Sequence, residues 1–219
     1  MTHALPAGIA DFGDAQDPGT PWVGEPPAPE QLRVVPFDPA WAERAAQLRG
    51  DIRAALTDRV LALEHVGSTA VAGLAAKDVI DLDLIVADPA DESGYVPELA
   101  ELEYRLTVRE PGFEEHRMLR LDEPRVNLHV FGPDSAEAAR HRLFRDWLRR
   151  TPADLQRYAE AKQSAADHGA QTAMAYNARK HAVVREIYAR IFAAHGVPLV
   201  ERALAPDTLQ VPPGSVDRP

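Results

Sequence analysis

The stretch from Val79 to Val86 constrains the fold of this chain more than any other. Its side chains alternate between two sets, which are Ile80, Leu82, Leu84 and Val86 on one side and Val79, Asp81, Asp83 and Ile85 on the other. This period of two is typical of a β-strand that lays one apolar face on a core. Because Asp81 and Asp83 are two residues apart, both carboxylates project from the opposite face. The fold must therefore hold an acidic pair on one side of a buried strand.

Two carboxylates side by side repel each other, so such a pair is usually accompanied by solvent, a basic partner or a divalent cation. Mg²⁺ is commonly bound by one or two carboxylates together with phosphate oxygens and water. We therefore predict that Asp81 and Asp83 bind Mg²⁺ or Mn²⁺. An exposed strand face without a ligand is the alternative interpretation of the pair.

A Gly-Ser pair precedes the acidic strand. Gly67 and Ser68 follow a strand predicted over Val60 to Val66, and twelve residues separate them from Asp81. Glycine lets the backbone approach a ligand closely, and the free amides at a helix start form a phosphate site. We predict that Gly67 and Ser68 bind phosphate, although a Gly-Ser pair alone is more often a simple turn.

The remaining pattern predicts an α+β fold. Asp38 and Pro39 are typical of a helix start, and apolar residues at helical spacing extend that helix to about Thr57. The other predicted elements are strands at Arg33 to Phe37, Tyr104 to Arg109, Arg117 to Leu121 and Val126 to Phe131, a helix at Pro97 to Glu103, and helices at Ser135 to Arg150, Pro152 to His168 and Thr172 to Ala194. This order predicts a mixed sheet with flanking helices, followed by a C-terminal helical portion.

Composition divides the chain further. Residues 1–30 are rich in Pro, Gly, Ala and Asp and contain no Lys or Arg, so we expect an acidic flexible tail, and a second tail at 204–219. Between them we expect a core at 31–133 and helices packed on it at 134–195. The chain has no cysteine and a net charge of −10, and it lacks a long apolar run. We therefore expect a cytoplasmic protein that binds neither duplex nucleic acid nor membrane.

The Gly-Ser pair, its spacer and the acidic pair resemble the signature of the nucleotidyltransferase fold. A closer resemblance is to the GrpB family, and it covers roughly Arg33 to Ala194. The segments that carry it are His65 to Val71, Lys77, Ile80 to Asp83, Glu110 to Phe113, Asn127 to Phe131, Phe144 to Asp146 and Tyr176 with Lys180.

The resemblance implies a fold and an activity. In the superfamily the Gly-Ser loop holds a triphosphate and the two acids hold divalent metal. The implied reaction transfers a nucleoside monophosphate from a nucleoside triphosphate to an unknown acceptor, which is a small molecule or a protein. A non-catalytic nucleotide- or metabolite-binding module of the same fold is the alternative, and the oligomeric state stays open.

The resemblance also exposes one departure. Nucleotidyltransferases generally carry a third carboxylate on a later strand, which here corresponds to Val126 to Phe131. That strand has Asn127 and His129 on its polar face and no acid. His129 is therefore a candidate metal ligand or general base. A hydrogen-bonded structural histidine is the equal alternative.

Basic side chains complete the predicted site. Lys77 stands just before the acidic strand, and by analogy Lys180, then Lys162, would contact the triphosphate from the C-terminal helices. Lys77 is predicted to contact a phosphate, with an ion pair to Asp78 as its alternative. For Lys162 and Lys180 the alternative is that they are surface lysines lying along a tyrosine ring. His141, next to Arg140 and Arg142, is predicted to belong to a solvated basic helix face.

Overall fold

A computed structural model describes residues 5–12 and 20–198. Its strands are β1 (Glu30–Gln31), β2 (Ala62–Val66), β3 (Ile80–Ile85), β4 (Arg105–Glu110), β5 (His116–Leu121), β6 (Val126–Phe131) and β7 (Ala170–Gln171). Its helices are α1 (Ala40–Leu56), α2 (Val96–Glu101), α3 (Ala136–Arg150), α4 (Pro152–Ala166) and α5 (Ala173–Ala194). The predicted α+β class is confirmed, because a mixed sheet with flanking helices precedes three C-terminal helices.

The five longer strands form one mixed sheet in the order β2-β3-β6-β5-β4. Strands β3 and β6 are parallel, and the other neighbours are antiparallel. The register places Asp81 opposite Asn127 and Asp83 opposite His129. The polar positions of β6 therefore lie directly beside the acidic pair of β3.

One face of the sheet carries the main apolar core. Ile80, Leu82 and Leu84 are buried there, as their alternation predicts, and they share a cluster with Trp41 and Ile52 of α1. Helix α1 begins at Ala40, one residue after the predicted first position, and the carboxylate of Asp38 accepts a hydrogen bond from the amide of Ala40 over 2.9 Å. This packing fixes β3 from one side and leaves its acidic face toward the rest of the molecule.

The three C-terminal helices lie on the opposite side of the sheet. Ala138 of α3 packs on Ile85 and Phe131 at one end of that face. A second core joins α3, α4 and α5 to Val71 and Leu74, which follow the Gly-Ser loop. A cavity of 770 Å³ remains, lined by residues from both the sheet and these helices. In the described part of the chain, no helix has the length and apolarity needed to cross a membrane.

The N-terminal residues differ from the predicted flexible tail. Ile9 and Ala10 are buried against the C-terminal helices. Trp22 forms a bridge to Val108 at the edge of β4, and Glu30–Gln31 pairs with β7. The prediction followed composition, and it overlooked apolar residues that are spaced for docking on a core built elsewhere in the chain.

Two other differences are local. The strand predicted at Arg33 to Phe37 is reduced to a single bridge between Val35 and Ala76. Residues 1–4, 13–19 and 199–219 lie outside the described part of the chain, and so does the tail predicted at 204–219.

Candidate active site

Asp81 lies against the Gly-Ser loop. Gly67 has a φ of 68°, and a Cβ atom built on it would stand 2.9 Å from the Cβ of Asp81. Only glycine fits this contact, because the backbone is left-handed and the acid leaves no space. On its other side, Asp81 accepts a hydrogen bond from Nδ2 of Asn127 over 2.8 Å. The structure therefore brings Gly67, Asp81 and Asn127 together as the sequence predicts.

His65 connects this loop to the start of the acidic strand through Thr69. Its Nε2 lies 3.0 Å from the hydroxyl of Thr69, and that hydroxyl donates to the carbonyl oxygen of Val79 over 3.3 Å. Burial lowers the pKa of His65 to about 4 despite the attraction of Asp81, so the ring is neutral near pH 7. Arg145 of α3 also donates to the carbonyl oxygen of His65, over 2.8 Å.

Asp83 is fully buried and belongs to an ion-pair chain with α3. Both of its oxygens lie 3.0 Å from Nδ1 of His141, and Nε2 of His141 lies 3.3 Å from Oε1 of Glu137. Each ring nitrogen thus faces a carboxylate, which requires both to be donors. Burial opposes the charge, yet Asp83 and Glu137 hold the pKa of His141 well above its ordinary value. The same contacts, with Arg140, lower the pKa of Glu137 to about 2 against burial.

The predicted solvated face for His141 is therefore wrong. Its side chain points into the site and pairs with the second acid of the motif. The prediction relied on Arg140 and Arg142, which flank His141 in the sequence and suggested a solvent-exposed basic face. Only the packing of α3 on the sheet shows which face of that helix is inward.

His129 ends a hydrogen-bonded histidine relay. Its Nδ1 lies 3.0 Å from Nε2 of His116, and Nδ1 of His116 lies 2.7 Å from Oε2 of Glu110. No role was predicted for His116, and Glu110 was named only among the segments that carry the family resemblance. The two predicted strands could have indicated this contact. Glu110 and His116 flank the turn between β4 and β5, and the antiparallel register pairs them.

The relay sets the state of His129. Burial and the nearby His116 lower the pKa of His129 to about 3, so its ring is neutral. When His116 donates to Glu110, it accepts from Nδ1 of His129, which leaves Nε2 of His129 without a proton. Within the described residues this Nε2 has no hydrogen-bond partner, and His129 lines the cavity.

The predicted metal ligands do not form one cluster. Within residues 5–12 and 20–198, no group of three or more His, Asp or Glu side chains is arranged to hold a metal ion. Both oxygens of Asp83 face His141 and one oxygen of Asp81 faces Asn127. The second oxygen of Asp81 remains, and one carboxylate with phosphate oxygens and water suits a single Mg²⁺. The donors thus fit one ion brought by a phosphate ligand, and do not fit two.

Three lysines meet on the other side of the cavity, around two tyrosines. Lys77 and Lys180 lie 4.7 Å and 5.2 Å from the centre of the Tyr176 ring. Lys162 and Lys180 lie 5.4 Å and 5.5 Å from the centre of the Tyr158 ring. We call Lys77, Lys162 and Lys180 the lysine cluster. The structure therefore brings together all three predicted phosphate-binding lysines.

The lysine cluster contains every lysine of the chain. The other 21 of the 24 basic Lys and Arg residues are arginines. Within the described residues no lysine forms an ion pair with a carboxylate, whereas arginines form most of the ion pairs. All three lysines thus lie at one cavity, whereas the arginines lie both at this cavity and elsewhere in the chain.

The cavity is basic although the protein is acidic. In the described structure its lining includes seven Lys or Arg side chains and five Asp or Glu side chains. The full chain, by contrast, has a net charge of −10. This contrast focuses positive potential on the concave region that also holds the Gly-Ser loop and Asp81.

The sheet, the Gly-Ser loop and the acidic strand define an α+β protein with a nucleotidyltransferase-like fold. The chain belongs to the GrpB family, because the family described as GrpB protein matches residues 31–190. This confirms the family expected from the sequence motifs.

The similar proteins agree with this assignment. A UPF0157 protein of Halalkalibacterium halodurans is 40% identical over 169 residues, which cover 77% of this chain and 87% of that protein. A crystal structure of conserved protein GrpB from Enterococcus faecalis has a TM-score of 0.64 and 27% identity, and covers 75% of this chain and 99% of that one. A dephospho-CoA kinase of Mycolicibacterium paratuberculosis is 30% identical over 187 residues, 73% of this chain but only 46% of that enzyme.

Proposed function

We propose that this protein binds a nucleoside triphosphate in the cavity and transfers its nucleoside monophosphate to an acceptor. The observation that carries the proposal is the convergence of the lysine cluster, the Gly67–Ser68 loop and Asp81 on one cavity. Lysines without a carboxylate partner are suited to a ligand that supplies several negative charges. A triphosphate is such a ligand.

Each part of the site has a role in this proposal. The backbone at Gly67 and Ser68 approaches the phosphates without steric hindrance, because no side chain stands at Gly67. The lysine cluster neutralises the outer phosphates. Asn127 orients Asp81 by donating to one of its oxygens, and Asp81 would hold one Mg²⁺. When bound, such an ion neutralises developing charge on the phosphates.

His129 is the candidate base of the transfer. His129 lines the cavity, and the Glu110–His116 pair holds Nδ1 of its ring. It would accept the proton of the acceptor hydroxyl or amine while the new bond to phosphorus forms and pyrophosphate leaves. Because the pKa of His129 is about 3, this role requires the negative triphosphate to raise it.

A second candidate is binding without transfer. It is favoured by Asp83, whose pairing with His141 removes one of the two acids that hold metal in related enzymes. The low pKa of His129 points the same way, since an effective base has a pKa near the working pH. The name dephospho-CoA kinase adds no activity to this proposal, because this chain matches less than half of that relative.

One experiment separates the two candidates. Each nucleoside triphosphate is added with Mg²⁺ or Mn²⁺, and thermal stabilisation and pyrophosphate release are measured in parallel. Asp81→Asn and Lys180→Met are compared with Arg33→Met, which removes one charge from an exposed position outside this cavity.

The outcomes are distinct. Stabilisation with pyrophosphate release, lost in Asp81→Asn and Lys180→Met but kept in Arg33→Met, supports transfer. Stabilisation with no release supports the binding module. No stabilisation by any nucleoside triphosphate rejects both.

A further inference from the structure

Lys162 is almost completely buried and has an unusual partner. Its side chain is 2% exposed, and Nζ donates to the carbonyl oxygen of Ala75 over 2.7 Å. No carboxylate of the described residues forms an ion pair with it. An ammonium ion buried among neutral groups is strongly unfavourable, so the uncharged amine is favoured in the empty site.

The neighbouring lysines also favour the uncharged amine of Lys162. The titratable groups near it are Tyr158 on its own helix, Lys180 on α5, Lys77 in the loop before β3, and Asp81 in β3. Burial lowers the pKa of Lys162 well below its ordinary value, and the two neighbouring lysines lower it further, whereas Asp81 raises it. Burial likewise lowers the pKa of Lys77.

The choice of lysine over arginine fits such a role. An arginine keeps its charge at every accessible pH, whereas a lysine amine loses its proton when it is buried. The chain has 21 arginines and places its three lysines together in this cavity. Unlike an arginine, each lysine of the cluster has a charge that can respond to what is bound.

We propose that the lysine cluster recognises a triphosphate or longer polyphosphate chain and that Lys162 takes up a proton when this chain binds. The inference rests on the proposed function for the position of the phosphates, and adds a preference for chain length and a coupled proton. A polyphosphate brings several negative charges next to Nζ, so the protonated form becomes stable only in the complex. A single phosphate brings fewer negative charges to the three lysines and is expected to bind more weakly.

The sign of the pH effect follows from this coupling. Because the pKa of Lys162 is higher in the complex, affinity is greatest below the pKa of the empty site. It falls as pH rises between the two values, by about tenfold per pH unit for one proton. The phosphate chain also titrates, so the pH dependence that remains in Lys162→Met is subtracted from that of the parent before the proton taken up by Lys162 is counted.

Lysine-specific isotope labelling tests the proposal directly. With three lysines in the chain, the spectrum of the ε-CH₂ groups contains three signals, which single Lys→Met variants assign. Each signal is titrated between pH 5.5 and 11 in the empty protein and with inorganic tripolyphosphate, with orthophosphate as the control. We expect the Lys162 signal to titrate first in the empty protein and to move to higher pH with tripolyphosphate only.

Two variants complete the test. Lys162→Met is permanently neutral and Lys162→Arg permanently charged, so the affinity of each for tripolyphosphate should lose the tenfold fall per pH unit that the parent shows. The proposal is overturned if the Lys162 signal does not move with tripolyphosphate, or if orthophosphate binds equally well. A protein that binds tripolyphosphate in this way but no nucleoside triphosphate would reject the proposed function alone.

Discussion

Gly67 and Gly73 share a left-handed backbone, with φ values of 68° and 78°, but differ in their surroundings. An added Cβ at Gly67 would collide with Asp81, whereas nothing lies within 4 Å of one at Gly73. Both Ala substitutions carry backbone strain because φ is positive at each position. Only Gly67→Ala should also displace Asp81 and weaken nucleotide binding, by at least about tenfold. Equal binding losses in the two variants, measured by calorimetry, would contradict the proposed contact.

The buried histidines predict how the protein responds to acid. His65 has a folded pKa of about 4, below the value of about 6.5 in an unfolded chain. The unfolded state therefore binds more protons between these values, and stability is lost as pH falls below 6.5. His65→Gln preserves a polar partner for Thr69 and cannot titrate. Urea unfolding between pH 7 and 4.5 should show a shallower loss in this variant, by about 1 kcal/mol per pH unit. Parallel curves would show that His65 does not titrate with a depressed pKa.

At the scale of elements, the pair of Asp83 and His141 joins β3 to α3. His141→Asn leaves a fully buried carboxylate without its cation, which costs about 3 to 5 kcal/mol. Asp83→Asn removes the charge that needs a partner, so the double variant should lose clearly less than the sum of the single variants. A double-mutant cycle of unfolding free energies measures this coupling. Additive losses would mean that the contact contributes nothing to the joining of the two elements.

The pair also makes a prediction about alkaline pH. Since the folded pKa of His141 is raised, its stabilising charge is fully present below the unfolded value and is lost as pH rises through the folded one. His141→Asn should remove this part of the pH dependence. Unfolding free energies between pH 6 and 10 provide the measurement, and an unchanged alkaline slope in the variant would contradict it.

Local pattern was sufficient to predict most elements. The strand at Val126–Phe131 has the predicted bounds, and the predicted helix starting at Pro152 begins there. Alternation in β3 and β6 also placed Asp81, Asn127 and His129 on one face. These features depend on short-range periodicity, which a sequence displays directly.

The missed features all depend on contacts between distant segments. The orientation of His141 is set by how α3 packs on the sheet, and the relay from Glu110 to His129 by how the turn between β4 and β5 lies beside β6. The segment at Val35 was predicted as a strand from its apolar residues, but it forms a single bridge, to Ala76. Propensity is a weak guide where tertiary packing decides.

At the scale of the whole molecule, the N-terminal segment joins the C-terminal helices. Arg140 of α3 is 1% exposed, and its Nη1 donates to the carbonyl oxygens of Gly8, Ile9 and Asp11 over 3.0 to 3.3 Å. Phe12 packs on Tyr188 with ring centres 5.1 Å apart and also lines the cavity. The segment thus satisfies a buried cation of the helical core and forms part of the wall of the proposed site.

Removal of residues 1–12 should therefore destabilise the whole protein, whereas loss of a flexible tail would not. It exposes the apolar surface around Ile9 and leaves a buried guanidinium without its carbonyl acceptors. After allowance for the entropy of ordering the segment, we expect a loss of about 2 to 5 kcal/mol, which lowers Tm by about 5 to 15 °C. Ile9→Ser should reproduce part of this loss, and Ala7→Ser, at an exposed position of the same segment, should leave Tm unchanged. If the truncated protein melts with the full chain, the segment does not dock on Arg140 in solution, and the cavity must be closed by another part of the molecule.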